Sequence, residues 1–396
     1  MLRHTGFRRL WLGATASAVG DGMTFVALSW LVLAQPGGTS RLGLLGVCYT
    51  APVLVGGLLV GPLLDRFDKR WVLVADCLPR AAAVASVPVT SALGGTPSWL
   101  PFAVAATYGL LKMVPLAGFP AAIPQLVDAR ELDAANALES MSFSIAFVVG
   151  PAAAGVLLGL AGPSAVLAVD AVSFLLFALA AASVRVPLAP APRVAGPRPS
   201  LAGLRRDRVI VATTVAFMAF NIAEGMLLVT APWLAKNHLA GSAAVLGVLL
   251  SALAAGEVAG AALAGRWRRS VRGIAVAQAG AALGFLAVLG VPNQVLVGGG
   301  FFVIGLLSAP MTVWAQSLRM RRVPAELHGR AFATLRTLMQ GTPPVGTLLV
   351  TPLLAGDHLT VAALVMALVA GLPAVLVYSN TETSSLRERS RMRSPA

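Results

Sequence analysis

The chain has 396 residues, of which 57% are apolar and only 12% charged, and its formal net charge is +14. Soluble domains average about 45–50% apolar and about 25% charged residues, so this composition argues against a water-exposed globular protein. A basic excess is compatible with nucleic-acid binding, but these basic residues lie in short clusters between apolar runs, so we expect no nucleic-acid partner. Cys48 and Cys77 both lie inside apolar runs and indicate no disulfide or zinc framework.

Twelve apolar runs, separated by Gly, Pro or charged clusters, follow one another along the chain. Each is long enough to cross a bilayer, and backbone groups in lipid need internal partners, so we predict an all-α membrane protein of twelve helices. The first run shows no cleavage site and is read as a retained helix. The predicted spans are 10–34, 42–64, 71–93, 99–123, 138–161, 164–184, 209–234, 243–265, 271–291, 295–318, 331–354 and 359–378.

The orientation follows from the distribution of Lys and Arg, which concentrate on the cytoplasmic side of membrane proteins. With a cytoplasmic N-terminus, alternate connections hold 25 of the 30 basic residues, including the cluster Arg319, Arg321 and Arg322. The opposite connections hold only Arg41 and Lys236. We therefore predict a multi-pass protein of the plasma membrane with both termini in the cytoplasm.

An internal repeat divides the chain into two halves. Residues 20–31 align without a gap to residues 223–234, so that Asp21 corresponds to Glu224 and Trp30 to Trp233. Residues 185–208, with five Pro and six Arg, read as an extended cytoplasmic linker. We predict six-helix halves over 1–184 and 209–378 and a basic tail over 379–396, an architecture typical of transporters whose substrate site lies between the halves.

Five acids lie well inside predicted spans, where an uncompensated charge costs roughly 2.5–3.5 kcal/mol. Asp21 and Glu224 occupy equivalent mid-span positions, and each is a candidate for proton coupling, since a carboxyl group in a partly dry cavity can exchange protons near neutral pH. A purely structural ion pair is the open alternative. The other three acids are Asp76, Asp170 and Glu257.

Helical spacing places further polar and aromatic side chains beside these two acids. Lys112, the only basic residue of the fourth span, is a candidate to neutralise Asp21 or Glu224 across a cavity. Asp76 and Arg80, spaced i,i+4, are predicted to pair along the third span, while Arg336 and Glu257 are possible second-half partners. The remaining candidate cavity residues are Ser17, Thr24, Tyr108, Phe119, Phe217, Asn221 and Trp314.

The connection between spans two and three carries a recognisable pattern, residues 61–70 with the sequence GPLLDRFDKR. It resembles the loop signature of the major facilitator superfamily, with Asp68 where glycine is usual. The resemblance implies a conformational latch formed by Gly61, Asp65, Arg66, Lys69 and Arg70. The second-half counterpart, residues 265–269, lacks the acid.

The fifth span contains Gly150, Pro151 and Gly155, which resemble the antiporter signature of the same superfamily. Small residues allow close helix contact and proline bends a helix, so generic packing is the alternative interpretation. The opening residues 7–13 and residues 123–138 resemble the macrolide-efflux and enterobactin-exporter branch. That resemblance implies alternating access and proton-driven export.

No phosphate-binding loop of the ATPase type occurs, so we expect no ATP hydrolysis, no enzymatic activity and no cofactor. The four histidines show no ligand spacing, and no metal site is predicted. Our first hypothesis is a monomeric, proton-coupled exporter of amphipathic small molecules such as drugs or siderophores. Uptake or facilitated diffusion on the same fold and a non-transporting membrane sensor remain alternatives.

Overall fold

The computed structural model describes residues 2–188, 207–264, 271–323 and 328–391, and these are helical with no β-strand among them. The predictions for most of the linker (189–206), for the second-half loop (265–270) and for the last five residues of the tail fall outside the described residues. The helices are α1 (Thr5–Leu33), α2 (Gly38–Thr50), α3 (Pro52–Arg66), α4 (Lys69–Ala92), α5 (Leu100–Leu111), α6 (Met113–Ala122), α7 (Leu132–Ala182), α8 (Arg208–Asn237), α9 (Ala243–Ala264), α10 (Val271–Gly284), α11 (Gln294–Arg322), α12 (His328–Gln340), α13 (Pro343–Ala355) and α14 (Leu359–Arg391).

Ten helical segments within the described residues are long and apolar enough to span a membrane. One of them, Ala129–Ala182, contains two of the predicted spans, because the chain turns within α7 at Gly162 (φ 76°), a left-handed conformation that glycine adopts without strain. The helix pair α12 and α13 covers the predicted eleventh span. The all-α membrane fold predicted from the sequence is confirmed, with span ends shifted by a few residues.

Three spans consist of two helices rather than one. The second span breaks at Ala51, before Pro52, and the fourth at Lys112, which joins α5 to α6. The eleventh breaks between Gln340 and Pro343. Proline ends a helix because it lacks the N–H donor and disfavours helical geometry in the residue before it, which explains the breaks at positions 52 and 343.

Packing divides the chain into two compact units. The first comprises Met1–Ala195 with Val229–Ser251, and the second comprises Gly196–Leu228 with Ala252–Ala396. In the first unit α7 packs along both α1 and α4; in the second α10 packs along α11 and α14. The C-terminal part of α8, from Val229 onward, thus belongs to the unit built mainly from the first six spans.

Large apolar side chains cover the outside of both units. Leu160, Leu179, Leu283 and Val375 each expose more than 60% of their surface. In water such a surface would be unfavourable, whereas in a bilayer lipid tails cover it. The few buried charged side chains therefore stand out as the candidates for function.

Candidate functional site

A buried guanidinium group lies at the centre of the first unit. Arg80 of α4 is only 1% exposed, and its Nη2 atom lies 3.0 Å from Oδ1 of Asp21 on α1. Its Nη1 atom lies 3.5 Å from Oδ2 of Asp76, one helical turn earlier on α4. One cation is therefore shared by carboxylates from two helices.

Aromatic rings enclose the same guanidinium. The Arg80 Cζ atom lies 4.3 Å from the ring centroid of Tyr108 on α5 and 4.4 Å from that of Phe174 on α7. Cation–π attraction strengthens when the partners are desolvated. The Tyr108 hydroxyl also donates to Oδ1 of Asp21, and Tyr49 stacks on Tyr108 at 5.6 Å. Four helices and the neighbouring α2 thus hold Arg80 and Asp21 in one orientation.

A third carboxyl group completes the cluster. Asp170 of α7 is fully buried, and it accepts hydrogen bonds from the hydroxyl of Thr24 and, at 2.9 Å, from that of Ser173. A Cβ atom added to Gly20 would lie 2.0 Å from Oδ1 of Asp170, so only glycine fits there. Thr24, predicted to share a stripe with Asp21, instead contacts Asp170.

Charge is not balanced within this group of four residues, which we call the Arg80 cluster: Asp21, Asp76, Arg80 and Asp170. With all three carboxyl groups ionised it carries two excess negative charges, and two bound protons would make it neutral. Among the described residues Oδ1 of Asp76 has no hydrogen-bond partner, and Asp76 and Asp170 are at most 2% exposed. The Asp21 side chain is 28% exposed. Asp21 is therefore the most accessible carboxyl group of the cluster.

The structure places Arg80 beside Asp21, whereas the sequence suggested Lys112 as a partner for Asp21 or Glu224. Lys112 lies at the junction of α5 and α6, with its Nζ atom 5.4 Å from the ring centroid of Tyr49. Ser17, one turn before Asp21, is 4% exposed. The contact of Arg80 with Asp76 predicted from the i,i+4 spacing is present at 3.5 Å. The contact of Arg80 with Asp21 was not predicted, because a spacing of four residues identifies only contacts along one helix.

The second-half candidates lie in the second unit. Glu224 is half-buried on α8, and one turn earlier the Asn221 side chain donates to the carbonyl oxygen of Met339, at 2.9 Å. Phe217 lies 5.0 Å from the guanidinium carbon of Arg319. Arg319 was predicted to lie in an exposed basic loop, but it belongs to the last turns of α11 and is 2% exposed.

The loop between α3 and α4 contacts the end of the sixth span. The Arg70 Nη1 atom donates to the Val184 carbonyl oxygen at 2.8 Å, and the Lys69 backbone N–H donates to the Leu188 carbonyl oxygen at 3.1 Å. Asp68, the departure from the superfamily pattern, accepts from the Arg70 backbone N–H and caps α4. The other motif residues, Gly61, Asp65 and Arg66, are exposed.

The glycines of the fifth-span motif lie at helix crossings in the first unit. A Cβ atom on Gly150 would lie 2.7 Å from the Val19 carbonyl oxygen of α1, and one on Gly155 would lie 2.9 Å from the Cα atom of Ala244 on α9. Likewise, a Cβ atom on Gly247 of α9 would lie 2.5 Å from the Pro151 carbonyl oxygen. The motif thus lets α7 approach two other helices at backbone distance.

One histidine and two acids meet near the start of α1, although their sequence spacing gives no sign of it. Potential ligand atoms of His4, Asp128 and Glu131 lie within 4.8 Å of one another. His4 already lies 2.8 Å from Glu131, and the Arg3 guanidinium lies 3.6 and 3.7 Å from the two carboxylates. Because Arg3 supplies positive charge, we interpret the group as a salt-bridge network.

Comparison with known proteins agrees with this architecture. The chain is 28% identical over 370 residues to the multidrug efflux pump Tap of Mycolicibacterium fortuitum, covering 89% of this chain and 90% of that protein. It is 21% identical over 358 residues to macrolide efflux protein A of Streptococcus pyogenes, covering 87% and 88%. Its fold resembles the crystal structure of the peptide transporter POT in complex with sulfate (TM-score 0.77, 13% identity, 96% and 94% coverage).

The family model described as transmembrane secretion effector matches residues 1–395, nearly the whole chain. The resemblance drawn from the loop and fifth-span motifs is thereby confirmed. The chain belongs to the transmembrane secretion effector family and is a multi-pass membrane transporter of the major facilitator superfamily.

Proposed function

We propose that this chain is a proton-coupled exporter of amphipathic small molecules, acting as a monomer in the plasma membrane with both termini in the cytoplasm. The relatives named as multidrug and macrolide efflux proteins, similar over most of their length, support export and an amphipathic cargo. The distribution of basic residues supports the orientation.

The Arg80 cluster is the observation that carries the coupling part of this proposal. Asp21 and Asp76 both contact one guanidinium group within membrane-spanning helices, Asp170 belongs to the same cluster, and Asp21 alone among the three is substantially exposed. A proton bound by Asp21 removes the charge that attracts Nη2 of Arg80, while Asp76 remains within 3.5 Å of Nη1. Protonation would therefore weaken the link between α1 and α4 and strengthen the attraction within α4.

Such a switch couples proton binding to helix movement, because the two protonation states favour different contacts. Moving one charge across 100 mV supplies about 2.3 kcal/mol, enough to bias a transport cycle. Glu224, equivalent to Asp21 in the repeat, is proposed as a second-half counterpart. The Asp65–Arg70 loop and the Gly150–Gly155 crossing are proposed as elements that change contacts during the cycle.

The experiment is efflux from proteoliposomes containing the purified full chain, with an imposed pH gradient and a fluorescent macrolide or lipophilic cation as cargo. We expect wild-type efflux to depend on the gradient and to stop on addition of an uncoupler. Asp21→Asn should abolish gradient-driven efflux, and Glu224→Gln should reduce it. Asp133→Asn, at an exposed carboxyl group in the first turn of α7, is the matched control and should retain wild-type efflux.

Each alternative gives a different result in the same vesicles. Equilibration of cargo that ignores uncouplers would indicate a facilitative transporter, and accumulation against the expected direction would indicate uptake. Gradient-driven efflux that survives both Asp21→Asn and Glu224→Gln would remove the coupling role of these residues. If the folded protein transports no cargo and no cargo compound raises its melting temperature, the result would favour a non-transporting membrane sensor.

A further inference from the structure

Arg319 is a buried cation that the proposed coupling mechanism does not use. It lies near the end of α11 with 2% exposure, its Nη1 atom 3.6 Å from the Met339 sulfur and its guanidinium carbon 5.0 Å from the Phe217 ring centroid. No acidic side chain in the described part of the chain forms an ion pair with it. Among the described residues, this guanidinium group contacts a thioether and a ring, and a buried guanidinium group is unfavourable without an anionic partner.

The two unused donors of Arg319 share one edge of the guanidinium plane. Neither Nε nor Nη2 has a hydrogen-bond partner among the residues that the structure describes, and both nitrogens are buried. Their N–H groups are parallel, which is the arrangement that binds the two oxygens of a carboxylate or phosphate bidentately. The geometry therefore offers a complete recognition edge for an oxyanion.

Met339, which contacts Nη1 of Arg319, packs against an apolar cluster and has an adaptable side chain. Ile210, Val323 and Leu335 form a buried cluster against which Met339 packs. The Met339 carbonyl oxygen is fixed by Asn221 and Thr342, at 2.9 and 2.8 Å. Its unbranched side chain has three rotatable bonds, so it can move while the backbone stays in place.

The eleventh span is discontinuous directly after Met339. α12 ends at Gln340 and α13 begins at Pro343. In secondary transporters, interrupted membrane helices typically line the sites that bind cargo, because irregular backbone is tolerated only beside protein or a cavity. This interruption between α12 and α13 is an observation separate from the burial of Arg319, and it also indicates a binding site beside Met339.

We propose that Arg319 binds an oxyanion carried on an apolar body, with Phe217 and Met339 contacting the apolar part. If the bound oxyanion is part of the cargo, the proposal rests on the proposed export function. It then restricts the cargo to amphipathic carboxylates or phosphates. A free amphiphile and an anionic phospholipid share this chemistry.

The test is equilibrium binding of a dansyl-labelled fatty acid and of its methyl ester to the full chain in phosphatidylcholine nanodiscs, without a pH gradient. Wild type should bind the acid at least about tenfold more tightly than the ester, the size expected for a bidentate charge-assisted contact. Arg319→Gln should bind both equally, and Arg319→Lys should retain part of the preference. Arg8→Gln, at an exposed arginine of α1, is the matched control and should behave as wild type.

A second arm separates the two sources of the oxyanion. If an anionic phospholipid is the ligand, replacing part of the phosphatidylcholine by phosphatidylglycerol should raise the melting temperature of wild type but not of Arg319→Gln, and should displace the labelled acid. Arg319→Met guards against misfolding, since removing an isolated buried charge is expected to leave the ligand-free protein at least as heat-stable as wild type.

Equal binding of acid and ester by wild type, or a tenfold preference surviving in Arg319→Gln, would overturn the proposal. Because binding is measured without a gradient, such a result leaves pH-driven efflux untouched. Conversely, a preserved acid preference in a protein without pH-driven efflux would overturn only the coupling mechanism.

Discussion

Arg80 and Asp21 meet inside the first unit with Nη2 and Oδ1 3.0 Å apart, joining α4 to α1. They are 59 residues apart in the chain, and Arg80 is essentially inaccessible while the Asp21 side chain keeps 28% of its surface exposed. Arg80 is thus held in place by its surroundings, whereas the Asp21 carboxyl group remains partly accessible. The proposed coupling role of the pair rests on this asymmetry.

Replacing Arg80 by Leu should destabilise the protein, because the buried Asp76 and the partly exposed Asp21 then lack their cation. Removing one partner of a buried pair costs about 3–5 kcal/mol. The loss should be largest at alkaline pH and shrink as the pH falls, since protonation removes the carboxylate charges. Thermal unfolding in detergent across a pH series measures this, with Arg336→Leu as control. A pH-independent loss would contradict the charge argument.

Arg80→Lys should fold better than Arg80→Leu but fail in coupling. Lysine keeps the charge, yet its ammonium group is a compact point charge that does not match the planar contacts with Tyr108, Phe174 and two carboxylates at once. We expect the melting temperature of Arg80→Lys to lie between those of wild type and Arg80→Leu. Its gradient-driven efflux should be at least about tenfold lower than that of wild type. Wild-type efflux in Arg80→Lys would show that charge alone suffices.

Gly20→Ala should destabilise the first unit, because the new methyl group would overlap the Asp170 carboxylate, 2.0 Å away. Overpacking of a close-fitting interior costs about 1–3 kcal/mol. The control is Gly159→Ala on α7, where a Cβ atom meets nothing within 4 Å and alanine improves helix propensity. The melting temperatures of Gly20→Ala and Gly159→Ala are compared in detergent. Equal values would show that α1 can shift away from Asp170.

Gly247→Val should separate α9 from α7 in the first unit. Its Cβ atom would lie 2.5 Å from the Pro151 carbonyl oxygen, a backbone atom that cannot rotate away. We expect lower thermal stability and loss of efflux, whereas Gly299→Ala, with open space around it, should change neither. Unaltered efflux in Gly247→Val would mean that this crossing is not needed for the transport cycle.

In the second unit, replacing Asp207 should lower the thermal stability more than replacing its ion-pair partner Arg322. The two side chains lie 3.2 Å apart and are 27% and 37% exposed, so the ion pair itself is worth less than about 1 kcal/mol. Asp207 also accepts hydrogen bonds from the backbone N–H groups of Val209 and Ile210 at the start of α8, and losing such a cap costs about 1 kcal/mol. The melting temperature of Asp207→Ala should therefore be lower than that of Arg322→Ala. Asp207→Ser, which can still cap the helix, should have a melting temperature close to that of Arg322→Ala. The reverse order would contradict this.

The sequence by itself determined the class, the spans and the family of this protein. Apolar runs of bilayer length leave only helices as a solution in lipid, and the motifs at residues 61–70 and 150–155 depend on local residue order, which sequence displays directly. The same reasoning selected Asp21 and Asp76, because an acid within an apolar run is visible without a structure.

The tertiary structure decided which charges meet. The sequence paired Arg80 with Asp76 alone, and only the packing of α4 against α1 brings its Nη2 atom to 3.0 Å from Oδ1 of Asp21. Arg319 was counted with a basic loop, since a residue at the end of an apolar run can face either water or the interior. Helical periodicity fixes the face of one helix on which a side chain lies, but which helix covers that face follows from contacts between segments distant in the chain.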